Sequence, residues 1–158
     1  MPDLQFKKWF VSERAKALAM VLLTRREDLE IRETKAETGL DYTVRIQTEN
    51  GAGPRDFGIL MRATMSPVTI EQANAQLTPT LGSLVAAEFV VPVCVFYFTV
   101  KDDQGYYTWS HEPVVEKGKA RLRPHAEADC HPLDDEALDE IVSRVRAWYD
   151  TLSASLKA

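Results

Sequence analysis

An aspartate, Asp41, heads a strand-like run behind Gly39 and Leu40, and the next strand-like run carries Leu60 and Arg62 two residues apart. Residues i and i+2 of a strand point to one face, so a strand can present a metal ligand and a cation together. An Asp on one strand with an acid-x-Lys pair on the next is an arrangement for Mg²⁺-dependent phosphodiester cleavage. Carboxylate oxygens hold the hard ion, and the lysine meets the attacking water or the scissile phosphate. Here Asp41 supplies a carboxylate, and Arg62 supplies a cation whose planar fork suits phosphate. Leu60, where the pattern asks for an acid, cannot bind a metal.

The 158 residues fit one domain, 1–158, long enough for a sizeable core. With 45% hydrophobic and 27% charged residues the composition is that of a globular protein. No apolar run is long enough to cross a bilayer; the longest, Phe89–Val100, is short and carries Pro92. The N-terminus lacks a basic leader with a small-residue cleavage site, and the two cysteines, Cys94 and Cys130, suggest no disulfide framework. A cytoplasmic setting and no membrane partner are expected. A net charge of −5 opposes broad nucleic-acid binding but leaves room for a local basic patch.

Periodicity supplies the elements that must position these residues. Residues 5–26 read as an amphipathic helix with Phe10, Arg14, Ala17, Leu18, Val21 and Leu22 on one face. Alternation predicts strands over 29–34 and from Tyr42 to Gln47, a turn at 50–54, and a third strand over 57–65 with both faces covered. Thr69 with Gln72 is a capping box opening a helix over 70–76, and Pro79 and Gly82 make the following stretch irregular. A strong strand runs from Phe89 to Val100, bent early at Pro92. A hairpin at 102–105 returns it through 106–110, a short strand occupies 119–124, and a final helix opens at Pro132. One mixed α/β domain around a central sheet follows.

These pieces resemble the PD-(D/E)xK, restriction-endonuclease-like superfamily. More closely they resemble the uncharacterised bacterial domain of unknown function 4365. The resemblance rests on Glu13 in SERAK, Gly39-Leu40-Asp41, the hairpin of the 50s, Phe57–Arg62, Pro92–Val100 and Tyr107-Thr108-Trp109. It covers nearly the whole chain by order of elements, through short motifs. It implies a restriction-endonuclease-like fold, a central mixed β-sheet flanked by the N-terminal and C-terminal helices. It implies a catalytic set of Asp41, Arg62 and Glu13, with Asp41 and Glu13 as metal ligands. Leu60 stands where that family has Gln or Glu, and Arg62 where it has Lys.

Two functions follow. One is a nuclease-like domain without cleavage activity or cofactor, acting as a binding or regulatory module in a bacterial defence or mobile-element context. The other is an active Mg²⁺-dependent endonuclease with a divergent site, helped by a further carboxylate from Glu30, Glu33 or Glu37. Partners on either reading are nucleic acid through a local patch, or a protein; no heptad or exposed stripe marks a dimer interface.

Each residue also has a plain structural reading. Asp41 suits a strand start, Arg62 a pair with Asp41 or Glu13, and Glu13 the helix surface. His125, Asp129, Cys130 and His131 match no zinc spacing. Tyr97, Tyr106, Tyr107 and Trp109 suit cross-strand packing better than base stacking.

Overall fold

The computed structural model describes residues 4–34, 38–48 and 53–156. In chain order they form α1 (Leu4–Leu23), β1 (Leu29–Glu33), β2 (Tyr42–Ile46), β3 (Arg55–Thr64), α2 (Ile70–Leu84), β4 (Val93–Thr99), β5 (Gln104–Glu116), β6 (Lys119–Pro124), β7 (His131–Pro132) and α3 (Asp135–Leu156). The expected turn at 50–54 falls largely outside the described residues.

Strands β1 to β6 lie in sequence order across one mixed sheet, and β7 pairs with the first part of β5. Neighbours are antiparallel except β3 and β4, which run parallel from Gly58–Val93 to Thr64–Thr99. A parallel pair needs a crossover, and α2 supplies it. Every residue of β4 is buried, as expected for a strand covered on both faces.

The helices are placed differently from the expectation. The first and last helices do flank the sheet, but they share one face. Ala15, Ala19 and Leu23 of α1 join Leu138, Ile141 and Val145 of α3 over Val44, Phe57, Ile59 and Phe96. The crossover helix α2 covers the opposite face, where Ala73, Leu77 and Leu81 meet Leu60, Val95 and Tyr97.

Local details differ for identifiable reasons. The Thr69–Gln72 capping box forms, but α2 runs on to Leu84 with Pro79 inside. Pro79 is exposed, so the carbonyl that loses its amide partner is open to water. Strand β4 starts at Val93, because Pro92 has no amide to donate and offers only its carbonyl, to Gly58. Helix α3 starts later than expected because Pro132 is taken into β7; Asp134 then accepts the Ala137 amide at 2.8 Å.

The expected face of α1 is also corrected. Phe10 and Val21 are exposed, at 50% and 55%, and so are Arg14 and Ala17. Leu22 of the expected face is buried and Leu18 packs against the core, but the other buried residues of α1 among those described are Ala15, Ala19 and Leu23. This helix is apolar nearly all round, so its sequence pattern points to no single face.

His111 is buried at the end of the paired stretch of β5. Its Nε2 faces the Ala87 carbonyl at 3.2 Å and its Nδ1 faces the Ser110 hydroxyl at 3.0 Å. Burial pushes the imidazole below its ordinary value, against the raising effect of the Ala87 carbonyl. The fold therefore holds it neutral, whereas the unfolded chain takes up a proton near pH 6.5. Stability should fall as the pH drops below about 6.5 toward the lowered value. Melting curves between pH 7.5 and 5.5 check this: His111→Gln should flatten the dependence, and an unchanged slope would assign it to other groups.

Candidate functional site

Strand β3 is longer than its partner. Its first half, Arg55–Ile59, pairs with β2, while Leu60–Thr64 pair only with β4. The free edge of that second half faces α1 across an open groove of about 610 Å³. Its lining includes Lys8, Ser12 and Lys16 of α1, the carboxylate Asp41, and Arg62 and Ser66.

Asp41 is seated by its own backbone and side chain. Its amide donates to the Ile59 carbonyl at 2.9 Å, and its carbonyl accepts from the Thr34 amide at 3.2 Å. Its Oδ2 accepts the Met61 amide at 2.6 Å. The carboxylate thus satisfies the first β3 amide that β2 no longer reaches. Two features deliver it there. Gly39 turns the chain at φ +76°, a conformation that favours glycine. Leu40 then packs where a side chain on Gly58 would lie.

The register past the Tyr42–Ile59 pair sets Asp41 across from Leu60. Arg62 lies two residues on, on the Leu60 face of β3. Asp41, Leu60 and Arg62 therefore lie near one another at the end of the β2–β3 pair. The expected pairs of Arg62 with Asp41 or Glu13 do not form. Arg62 is exposed rather than covered, and its Nη1 donates to its neighbour's carbonyl, Met61 O, at 2.9 Å. Glu13 is exposed outside the groove lining and holds Lys16 at 3.5 Å.

The groove offers Mg²⁺ few oxygen ligands among the described residues. Mg²⁺ requires near-octahedral oxygen ligation. In the groove Asp41 is the one carboxylate among the described residues, and one of its oxygens already accepts an amide. Leu60 is apolar and 6% exposed. No group of three His, Cys, Asp or Glu side chains suited to a metal occurs among the described residues. Glu37 lies outside them, and Glu30 pairs with Arg32 at 2.8 Å.

Sequence reasoning missed the cations of α1. Lys8, Ser12 and Lys16 recur every four residues, a helical stripe that was legible as spacing but had no visible target. It singled out Arg62 by its place two residues after Leu60, but gave no sign that Arg62 would lack a carboxylate. Among the described residues every arginine except Arg62 and Arg121 holds a carboxylate. Lys8 likewise holds none among them.

The other sequence candidates are engaged in structure. His125 Nε2 bonds Glu112 at 2.7 Å, and Arg144 bonds the same carboxylate. Burial pushes Glu112 up, but these hydrogen bonds outweigh it and hold the carboxyl below its ordinary value. His131 is exposed, 3.5 Å from Asp129, with its ring tilted against Tyr107. Cys130 is buried, and its thiol is pushed up to about 11, chiefly by desolvation. Tyr107 and Trp109 are core residues, and the Tyr106 hydroxyl donates to Val68 O at 2.9 Å.

The seat of Asp41 predicts a stability effect without any metal. Asp41→Ala strands the Met61 amide and should cost about 1–3 kcal/mol, whereas Asp41→Asn keeps an acceptor oxygen and should cost less. Urea unfolding of the two variants measures the difference; equal costs would show that the accepted amide is not what Asp41 contributes. Comparison of the chain with protein-family models, with curated proteins and with solved structures returned no match.

Proposed function

We propose that the chain is a restriction-endonuclease-like domain that holds nucleic-acid phosphates in the α1–β3 groove without cutting them, and so acts as a binding or regulatory module. The observation that carries this reading is the charge of the groove. Lys8, Lys16 and Arg62 line it against a single carboxylate, Asp41, which is already hydrogen-bonded to Met61. In a chain of net charge −5 this is a local cationic site. Cations without a carboxylate partner, such as Lys8 and Arg62, are free to meet phosphate oxygens.

Element order supports the fold part of the proposal. A helix precedes a three-stranded antiparallel meander, a crossover helix leads into a parallel strand, and an antiparallel strand returns. Asp41 heads β2 beside β3, as in the resemblance, and Arg62 takes the place of the family's lysine. The bacterial defence or mobile-element setting rests on that resemblance alone. No helix among the described residues is long and apolar enough to cross a membrane.

One observation favours the alternative, an active Mg²⁺-dependent nuclease. The Tyr42 phenol is pushed above its ordinary value first by burial, and Glu33, Asp41 and Glu13 add to the rise against Lys16. Glu33 and Glu13 therefore add negative charge near this end of β2, beside Asp41. The binding reading has the stronger support, because Glu13 is tied to Lys16 and Leu60 is buried.

Anisotropy titration of a labelled single strand and a labelled duplex at 50 and 200 mM salt tests the proposal. Binding should weaken with salt, and Arg62→Ala and Lys8→Ala should each lower the log–log salt slope by about 1. Absence of binding at 50 mM salt, or binding indifferent to both substitutions, overturns it. Millimolar Mg²⁺ or Mn²⁺ should leave the melting temperature unchanged. A rise that Asp41→Asn abolishes would favour the catalytic reading instead.

A further inference from the structure

Helix α1 has a second apolar face that nothing among the described residues covers. Trp9 is 63% exposed, Phe10 50%, Met20 37% and Val21 55%, and Ala17 lies exposed between them. The residues form two rows on the side turned away from the sheet. One runs Trp9, Glu13, Met20 and the other Phe10, Ala17, Val21. Isolated apolar residues on a surface need no explanation, but four large ones on one face of one helix mark an interaction surface.

The pattern within this face selects the occupant. Its aromatic pair stands at the N-terminal end and its aliphatic pair about three turns on, roughly 17 Å along the axis. A two-fold axis level with position 15, on the side turned away from the sheet, would lay a second α1 antiparallel on the first. Trp9 and Phe10 of each copy then meet Val21 and Met20 of the other, and Ala17, the small residue, lies across from Glu13. Charge agrees with this register. Glu13 and Lys16, exposed and 3.5 Å apart within one chain, each come next to the opposite charge of the second copy. A parallel arrangement would set Glu13 against Glu13. Arg14 is held outside the rows by Asp103 at 2.8 Å and adds no unpaired cation.

We infer that the outer face of α1 is a self-association surface, and that two copies of this chain pair through it antiparallel about a two-fold axis. The contact is isologous, so each residue is used once by each copy. Lys8 and Ser12 line the groove beside α1 and take no part in the pairing, whereas Lys16, at the groove's edge, is shared between groove and contact. A contact built mainly from one helix per copy lies at the small end of specific interfaces.

Sedimentation equilibrium of the full chain from 1 to 200 μM tests the inference. A reversible monomer–dimer equilibrium is expected. Val21→Arg, at an exposed position, should weaken dimerisation at least 10-fold while leaving the melting temperature of the monomer within a few degrees. Glu13→Lys and Lys16→Glu should each weaken it, and the double variant should recover most of the loss. A monomer throughout this range overturns the inference and leaves the face to a different protein. A dimer indifferent to Val21→Arg places the interface elsewhere and overturns it equally. A dimer weakened by Val21→Arg, whose charge variants are not rescued by the double exchange, overturns the antiparallel register.

Discussion

The parallel pairing of β3 with β4 is the constraint from which the rest of the structure follows. Two parallel neighbours cannot be joined by a hairpin, so the chain must leave the sheet and return at the other end. It does so through α2, which commits one face of the sheet to that helix and leaves the other to α1 and α3. Strand β4 is then buried on both sides, and its run of valine, cysteine and aromatic residues fits no other position. The pairing also holds Leu60–Thr64 in place where β2 has ended. Without β4 that stretch would have no strand partner, and the groove would have no floor.

Electrostatics separates this groove from the rest of the surface. Elsewhere the arginines close links between distant elements. Arg14 ties α1 to the turn at Asp103, Arg25 and Arg26 tie the end of α1 to α3, and Arg55 ties β3 to Asp150. Such pairs are mostly exposed and each contributes little to stability. Within the groove, Arg62 and Lys8 are left without a carboxylate partner among the described residues. Asp41 does not neutralise them, because its position is fixed by the amides and carbonyls around it. A carboxylate that in a metal site would coordinate an ion here completes the edge of a strand.

Much of this was legible in the residues. Alternation at Tyr42, Val44 and Ile46, the Thr69–Gln72 box and the apolar run of β4 each report a local period or a local hydrogen bond. Asp41 and Arg62, singled out in the sequence, both line the groove. Glu13 was read both as a metal ligand and as a helix-surface charge, and its i,i+3 pair with Lys16 fits the second reading. The face of α1 was misread. Its apolar residues surround the axis, and both Phe10–Val21 and Ala15–Leu22 satisfy the same spacing. Only contact with Val44, Ile59 and Phe96 selects between them.

The sequence by itself determined the kinds of element, their order, the turn at Gly39, the anchoring aspartate and the acidic balance of the chain. These depend on interactions within a few residues, or on sums that ignore position. The tertiary structure decided which helices share a face, that Arg62 is exposed without a carboxylate, and that Lys8, Ser12 and Lys16 look onto Asp41 and the end of β3. Those relations join residues up to several dozen positions apart. They are set by strand register and by the side of the sheet to which each helix is drawn, and the spacing of residues along the chain carries neither.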